Sequence, residues 1–120
     1  MSKNIMIVDD SPILRSTIRT VLERSGYTVF GEAGNSAEAI AGLDKGSPDL
    51  VLLDILLPGE SGLEILKKMR EKQPEIRVLI VTAVNQDTIN QEAKDLGAVG
   101  ILYKPFDPLE LKTAISKVIK

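Results

Sequence analysis

Residues 50–62 read LVLLDILLPGESG. The aliphatic run from Leu50 to Leu53 has no polar alternation, so a strand made from it must be covered on both faces. It stops at a carboxylate, Asp54. Pro58, Gly59 and Gly62 bring turn chemistry. Ser61, with Glu64 three residues later, reads as a capping box, and Ile65, Leu66 and Met69 face inward behind it. A buried strand, an acidic loop and an amphipathic helix make one unit of a parallel sheet, because parallel neighbours need a crossover and the crossover is usually helical.

The same unit recurs on both sides. Ile5 to Val8 is a β-branched run ending at Asp9-Asp10, and from Pro12 to Ser25 the residues Leu14, Ile18, Val21 and Leu22 recur at helical spacing, with Gly26 as the C-terminal cap. Thr28 to Phe30 is a weaker strand, after which Asn35 or Ser36, with Glu38, opens a helix that ends near Gly46. Val78 to Val81 is a run that stops at Thr82, and Ile89, Ala93 and Leu96 give the next helix only a thin apolar stripe. Val99 to Tyr103 is the last strand, followed by Lys104-Pro105. Asp107-Pro108-x-Glu110 opens the final helix, whose buried stripe is Leu111, Ile115, Val118 and Ile119. The pattern predicts an α/β fold over residues 1–120: a doubly wound, five-stranded parallel sheet of order 2-1-3-4-5 with five helices, flavodoxin-like, its least apolar second strand at an edge.

Composition removes many functions. The length of 120 residues suits one domain. Hydrophobic residues make up 43% and aromatics only 3%, so the core must be aliphatic. A net charge of -2 gives no basic excess, which argues against nucleic acid or an anionic membrane as a direct partner. With no cysteine and no histidine, disulfides, thiolate or imidazole metal ligands, Ser-His-Asp triads and a phosphohistidine on this chain are excluded. Met1-Ser2-Lys3-Asn4 lacks a signal-peptide pattern. No apolar run approaches the ~20 residues of a membrane span, so a cytoplasmic location is expected.

In an open parallel sheet, ligands bind at the carboxyl ends of the strands, where strand order reverses. That edge gathers Asp9, Asp10, Asp54, Thr82 and Lys104. The carboxylates have no basic neighbour in sequence, and clustering them is costly unless a cation intervenes. Oxygen-only ligands point to Mg²⁺ or Mn²⁺. Lys104 can pair with the Asp54 carboxylate and a phosphate oxygen, and the Thr82 hydroxyl can donate to another. Asp54 can then act as a nucleophile, giving an aspartyl phosphate. Taken singly, each residue has a simpler role: Asp9, Asp10 or Ser11 as a helix cap, Asp54 in a loop turn, Thr82 as a strand end, Lys104 as a solvated loop residue. Their complementary chemistry on one edge favours the joint reading. A flavin or nucleotide domain of the same architecture would need a Gly- or Ser/Thr-rich cradle where Asp-Asp-Ser-Pro stands. An aspartate-nucleophile phosphatase usually carries a second carboxylate two residues after the nucleophile, where Leu56 stands.

Four stretches carry a resemblance: IVDDS ending at Ser11, LLDILLPGESG ending at Gly62, VTA around Thr82 and YKPF around Lys104. They resemble the response regulator receiver (CheY-like) family of two-component signalling, in order and spacing, over essentially the whole chain. The resemblance implies a signalling switch rather than an enzyme, one that catalyses only its own phosphorylation and slow dephosphorylation. Asp54 resembles the phosphoacceptor and Lys104 the lysine of the site. Asp10 resembles the direct Mg²⁺ ligand, with Asp9 acting mainly through water and the Leu56 backbone carbonyl as a further ligand. Thr82 and Tyr103 resemble the switch pair, and Pro105 the cis-proline after the lysine. Partners implied are a histidine kinase or phosphotransfer protein, docking on the first helix around Ile13, Leu14 and Arg15. A downstream effector would read the fourth helix, fifth strand and fifth helix, with the protein a monomer or a phosphorylation-dependent dimer. Leu56 and Val84 flank the path of attacking water and are apolar, so slow self-hydrolysis is expected.

Overall fold

The structure, a computed structural model, describes residues 3–119. Residues 1, 2 and 120 of the span expected to form one domain lie outside the described residues. Its main elements alternate: β1 Asn4–Val8, α1 Pro12–Arg24, β2 Thr28–Ala33, α2 Ser36–Leu43, β3 Leu50–Leu53, α3 Gly62–Lys72, β4 Val78–Thr82, α4 Asp87–Asp95, β5 Gly100–Tyr103 and α5 Pro108–Val118. The five strands are all parallel, in the order β2-β1-β3-β4-β5. This is the order expected from the sequence, with β2 at an edge. A two-residue antiparallel pairing, Leu56–Leu57 with Glu60–Ser61, closes the loop after β3.

Strand alternation divides the core between two faces. Ile5 and Ile7 of β1, with Leu50 and Leu52 of β3, pack against Ile18 and Leu22 of α1 and Leu111 and Ile115 of α5. Met6 and Val8, with Val51 and Leu53, pack on the other side with Ala39, Leu43, Ile65, Leu66 and Met69 of α2 and α3. β3 is buried along its whole length because it is central and covered twice.

Helix starts follow local chemistry. Ser11 Oγ accepts from Leu14 N at 3.2 Å, and Asn35 Oδ1 accepts from Glu38 N at 2.9 Å. Asp107 and Glu110 form a reciprocal capping box, 2.8 and 3.0 Å. Ser61 departs from expectation. Its hydroxyl accepts from Leu63 N at 3.2 Å and makes no box with Glu64. The hydroxyl is spent one position early, on Leu63, while Gly62 N donates to Ile55 O at 2.7 Å and ties the first turn of α3 to the loop backbone. α4 lacks a side-chain cap and fully buries only Ala93, as its thin stripe suggested. Among the described residues, no helix is long and apolar enough to cross a membrane.

Candidate functional site

β1 runs into Asp9 and Asp10, β3 into Asp54, β4 ends on Thr82, and β5 ends on Tyr103 just before Lys104. Parallel register brings these ends level: Val8 pairs with Leu53 and Thr82 with Tyr103. Backbone bonds continue past the strands, from Asp54 N to Val8 O at 3.0 Å and from Lys104 N to Thr82 O at 2.9 Å.

Asp9, Asp10 and Asp54 each present a carboxylate oxygen within 4.8 Å of the others. Asp9 and Asp54 are buried while Asp10 lies at the surface. Two buried carboxylates repel unless answered, and the answer comes from the far end of the chain. Lys104 Nζ donates to Asp9 Oδ2 at 2.7 Å and to Asp54 Oδ2 at 2.8 Å. The sequence reading gave Lys104 one carboxylate partner; the fold gives it two. Burial alone would lower the lysine pKa, but hydrogen bonds and charge from Asp54 and Asp9 outweigh it and raise it above the ordinary 10.5.

The other oxygens are oriented by backbone. Asp9 Oδ1 accepts from Ser11 N at 2.9 Å, and Asp54 Oδ1 from Leu56 N at 3.0 Å. Each ionised carboxylate still has unused lone pairs, so an all-oxygen set with one surface-facing member fits a hard cation such as Mg²⁺.

Thr82 is fully buried and its Oγ1 accepts from Val84 N at 3.3 Å. Tyr103 points outward, and its hydroxyl accepts from Asn90 Nδ2 of α4 at 2.6 Å. Asn90 Oδ1 is buried without a partner among the described residues. Sequence reasoning missed Asn90, since an amide on a polar helix carries no signal. It also took Gly62 for turn chemistry. A Cβ at Gly62 would lie 2.4 Å from Asp54 O and from Ile55 Cα, so only glycine lets α3 start directly beneath the loop that follows β3. Glu60 ties that loop to α2 by accepting from Ser36 N at 2.9 Å. The Lys104–Pro105 peptide is cis, as the resemblance implied.

Comparison with known proteins agrees with this geometry. Residues 5–116 match the family described as response regulator receiver domain. The chain belongs to that family. It is 41% identical to sporulation initiation phosphotransferase F of Bacillus subtilis over 99% of this chain and 95% of that protein. It is 32% identical to the chemotaxis protein CheY of Thermotoga maritima, covering 100% of both. Among solved structures it resembles Vibrio cholerae CheY4 with a TM-score of 0.93 and 30% identity, covering 99% of this chain and 100% of that one. Receivers are switches of two-component signalling rather than conventional enzymes, and they bind Mg²⁺ at an acidic cluster such as Asp9, Asp10 and Asp54. They work with histidine kinases, phosphotransfer proteins and effectors.

Proposed function

We propose that this receiver takes a phosphoryl group from a partner histidine kinase or phosphotransfer protein onto Asp54 and signals through α4, β5 and α5. The observation that carries the reading is the Lys104 ammonium, 2.8 Å from Asp54 and 2.7 Å from Asp9. It orients the acceptor and offsets the charge that an incoming phosphoryl group adds. An Asp54 carboxylate oxygen attacks phosphorus, the O–P bond forms, and the bond to the donor imidazole nitrogen breaks, its electron pair returning to that nitrogen. Asp10, Asp9, Asp54 and the Leu56 carbonyl would hold Mg²⁺, or Mn²⁺, which when bound supplies further neutralisation of phosphoryl charge. The Thr82 hydroxyl then donates to a phosphoryl oxygen, and Tyr103 turns inward to fill the space left.

Several features support parts of this reading. Tyr103 is an exposed aromatic held by a single 2.6 Å bond from α4, an element with little buried surface. Ile13 is 81% exposed at the start of α1 and suits a docking contact, whereas Arg15 is engaged inward and does not. Leu56 is 58% exposed beside Asp54 and, with Val84, has no group to orient water, in keeping with slow autodephosphorylation. We place the whole of residues 1–120 in one receiver that works in the cytoplasm, as a monomer or a phosphorylation-dependent dimer.

The test is intact-protein mass after incubation with acetyl phosphate and Mg²⁺. One added phosphoryl group is expected on the parent, with none without Mg²⁺ and none on Asp54→Asn. A folded parent that gains no mass and binds no beryllofluoride would overturn the reading.

A further inference from the structure

Arg15 lies in the first turns of α1, yet its guanidinium turns back toward the sheet. Nη1 donates to the main-chain carbonyl of Asp9 at 2.5 Å, and Nε donates to Glu32 Oε1 of β2 at 3.1 Å. The side chain is only 19% exposed. Glu32 is itself fixed, because its other oxygen accepts from Arg19 Nε at 2.6 Å. Gly34 leaves room for the guanidinium: a Cβ there would lie 3.2 Å from Nη1.

The carbonyl that Arg15 grips belongs to the peptide joining Asp9 to Asp10. The other polar groups of Asp9 are taken as well. Its N–H donates to Ala33 O at 3.0 Å, and its carboxylate accepts from Ser11 N and Lys104 Nζ. The Asp9–Asp10 peptide plane therefore cannot rotate without breaking the Arg15 bond, and that plane sets where the surface carboxylate of Asp10 points.

We propose that Arg15 is a positioning residue of the Mg²⁺ centre, holding Asp10 in the direction the cation requires; this rests on the reading that Asp9, Asp10 and Asp54 bind Mg²⁺. Two physical points give the proposal a distinctive signature. Mg²⁺ demands near-ideal octahedral geometry, while Ca²⁺ tolerates irregular ligands, so misplacing Asp10 should harm Mg²⁺ binding more. Simple electrostatics predicts the opposite sign for charge removal, since deleting a cation beside an acidic cluster favours metal binding.

The experiment is calorimetric titration of Mg²⁺ and of Ca²⁺ into the parent, Arg15→Lys, Arg15→Gln, Glu32→Gln and Arg19→Gln, each checked for a cooperative metal-free melt. Loss of an outer partner of a ligand typically weakens metal binding by about 10–100-fold. Arg15→Gln is expected at the lower end of that range, about 10-fold for Mg²⁺, with a clearly smaller loss for Ca²⁺. Arg15→Lys keeps the charge but loses the rigid fork that presents two donors in fixed directions, so it should fall short of the parent. Glu32→Gln, which loosens the same grip without touching Arg15, should show a partial loss, and Arg19→Gln, which only frees Glu32, a smaller one. Arg15→Gln binding Mg²⁺ as tightly as the parent, or more tightly, would overturn the proposal, as would equal losses for both cations. A parent that binds no Mg²⁺ would instead overturn the metal reading beneath it.

Discussion

Lys104 donates to two buried carboxylates, so its charge is part of what joins the strand ends. Its pKa is raised in the folded state above the ordinary 10.5. A group whose folded pKa is raised contributes stability that is complete below the unfolded value and lost as pH climbs through the folded one. The metal-free protein should therefore lose stability above pH 10.5 more steeply than Lys104→Met does. Urea midpoints measured in chelator across that range check this, and parallel curves would refute it. Gly62 offers a second test at this scale. A methyl group there meets backbone at 2.4 Å, and backbone cannot step aside as a flexible side chain can. Gly62→Ala should cost about 1–3 kcal/mol in urea melts, the usual overpacking penalty. The acidic residues, Thr82 and Lys104 were legible because each ends a strand pattern. The clearance at Gly62 and the bond from Asn90 were not, because both arise between segments that only the fold brings together.

At the scale of elements, strands and capped helices follow the sequence closely. Leu50–Leu53 is the strand its apolar run predicts, and Asp107 with Glu110 is the capping box its spacing predicts. Boundaries slip where local rules compete. β2 extends to Ala33, beyond Phe30, because pairing with β1 continues to Val8 despite an irregularity after Ile5. α2 ends at Leu43 rather than near Gly46. At Ser61 the expected box is replaced by a bond accepted from Leu63 N. Among the described residues α4 is the least anchored helix: it has no side-chain cap, one fully buried residue, and a buried amide oxygen of Asn90 without a partner. Its amides should exchange with solvent faster than those of α1 and α5, and native-state hydrogen exchange reads this directly. Asn90→Ala should change global stability by less than about 1 kcal/mol, since a net hydrogen bond of ordinary size is lost together with an unsatisfied group. It should nevertheless free the Tyr103 ring, visible as a shifted fluorine resonance from fluorotyrosine at 103. An unmoved resonance would mean that the bond restrains nothing.

For the whole molecule, ligand linkage and chain topology meet at one pocket. A cation that binds only the folded state stabilises it by mass action. At ten times its dissociation constant, Mg²⁺ should add about 1.4 kcal/mol, or roughly 3–6 °C in Tm. The gain should shrink in Asp10→Asn, and a parent Tm indifferent to millimolar Mg²⁺ would contradict an assembled cation site. The same pocket has another property. The lysine that completes it stands 95 residues from Asp9 and 50 from Asp54 along the chain. It arrives on the last strand of the sheet, and that strand is pinned by the final helix. A partly synthesised chain, or one whose C-terminal third has come loose, carries Asp54 without the ammonium that donates to it. Under the proposed function, competence to receive a phosphoryl group therefore depends on closure of the sheet at its far edge, and a copy lacking its fifth strand is expected to be silent.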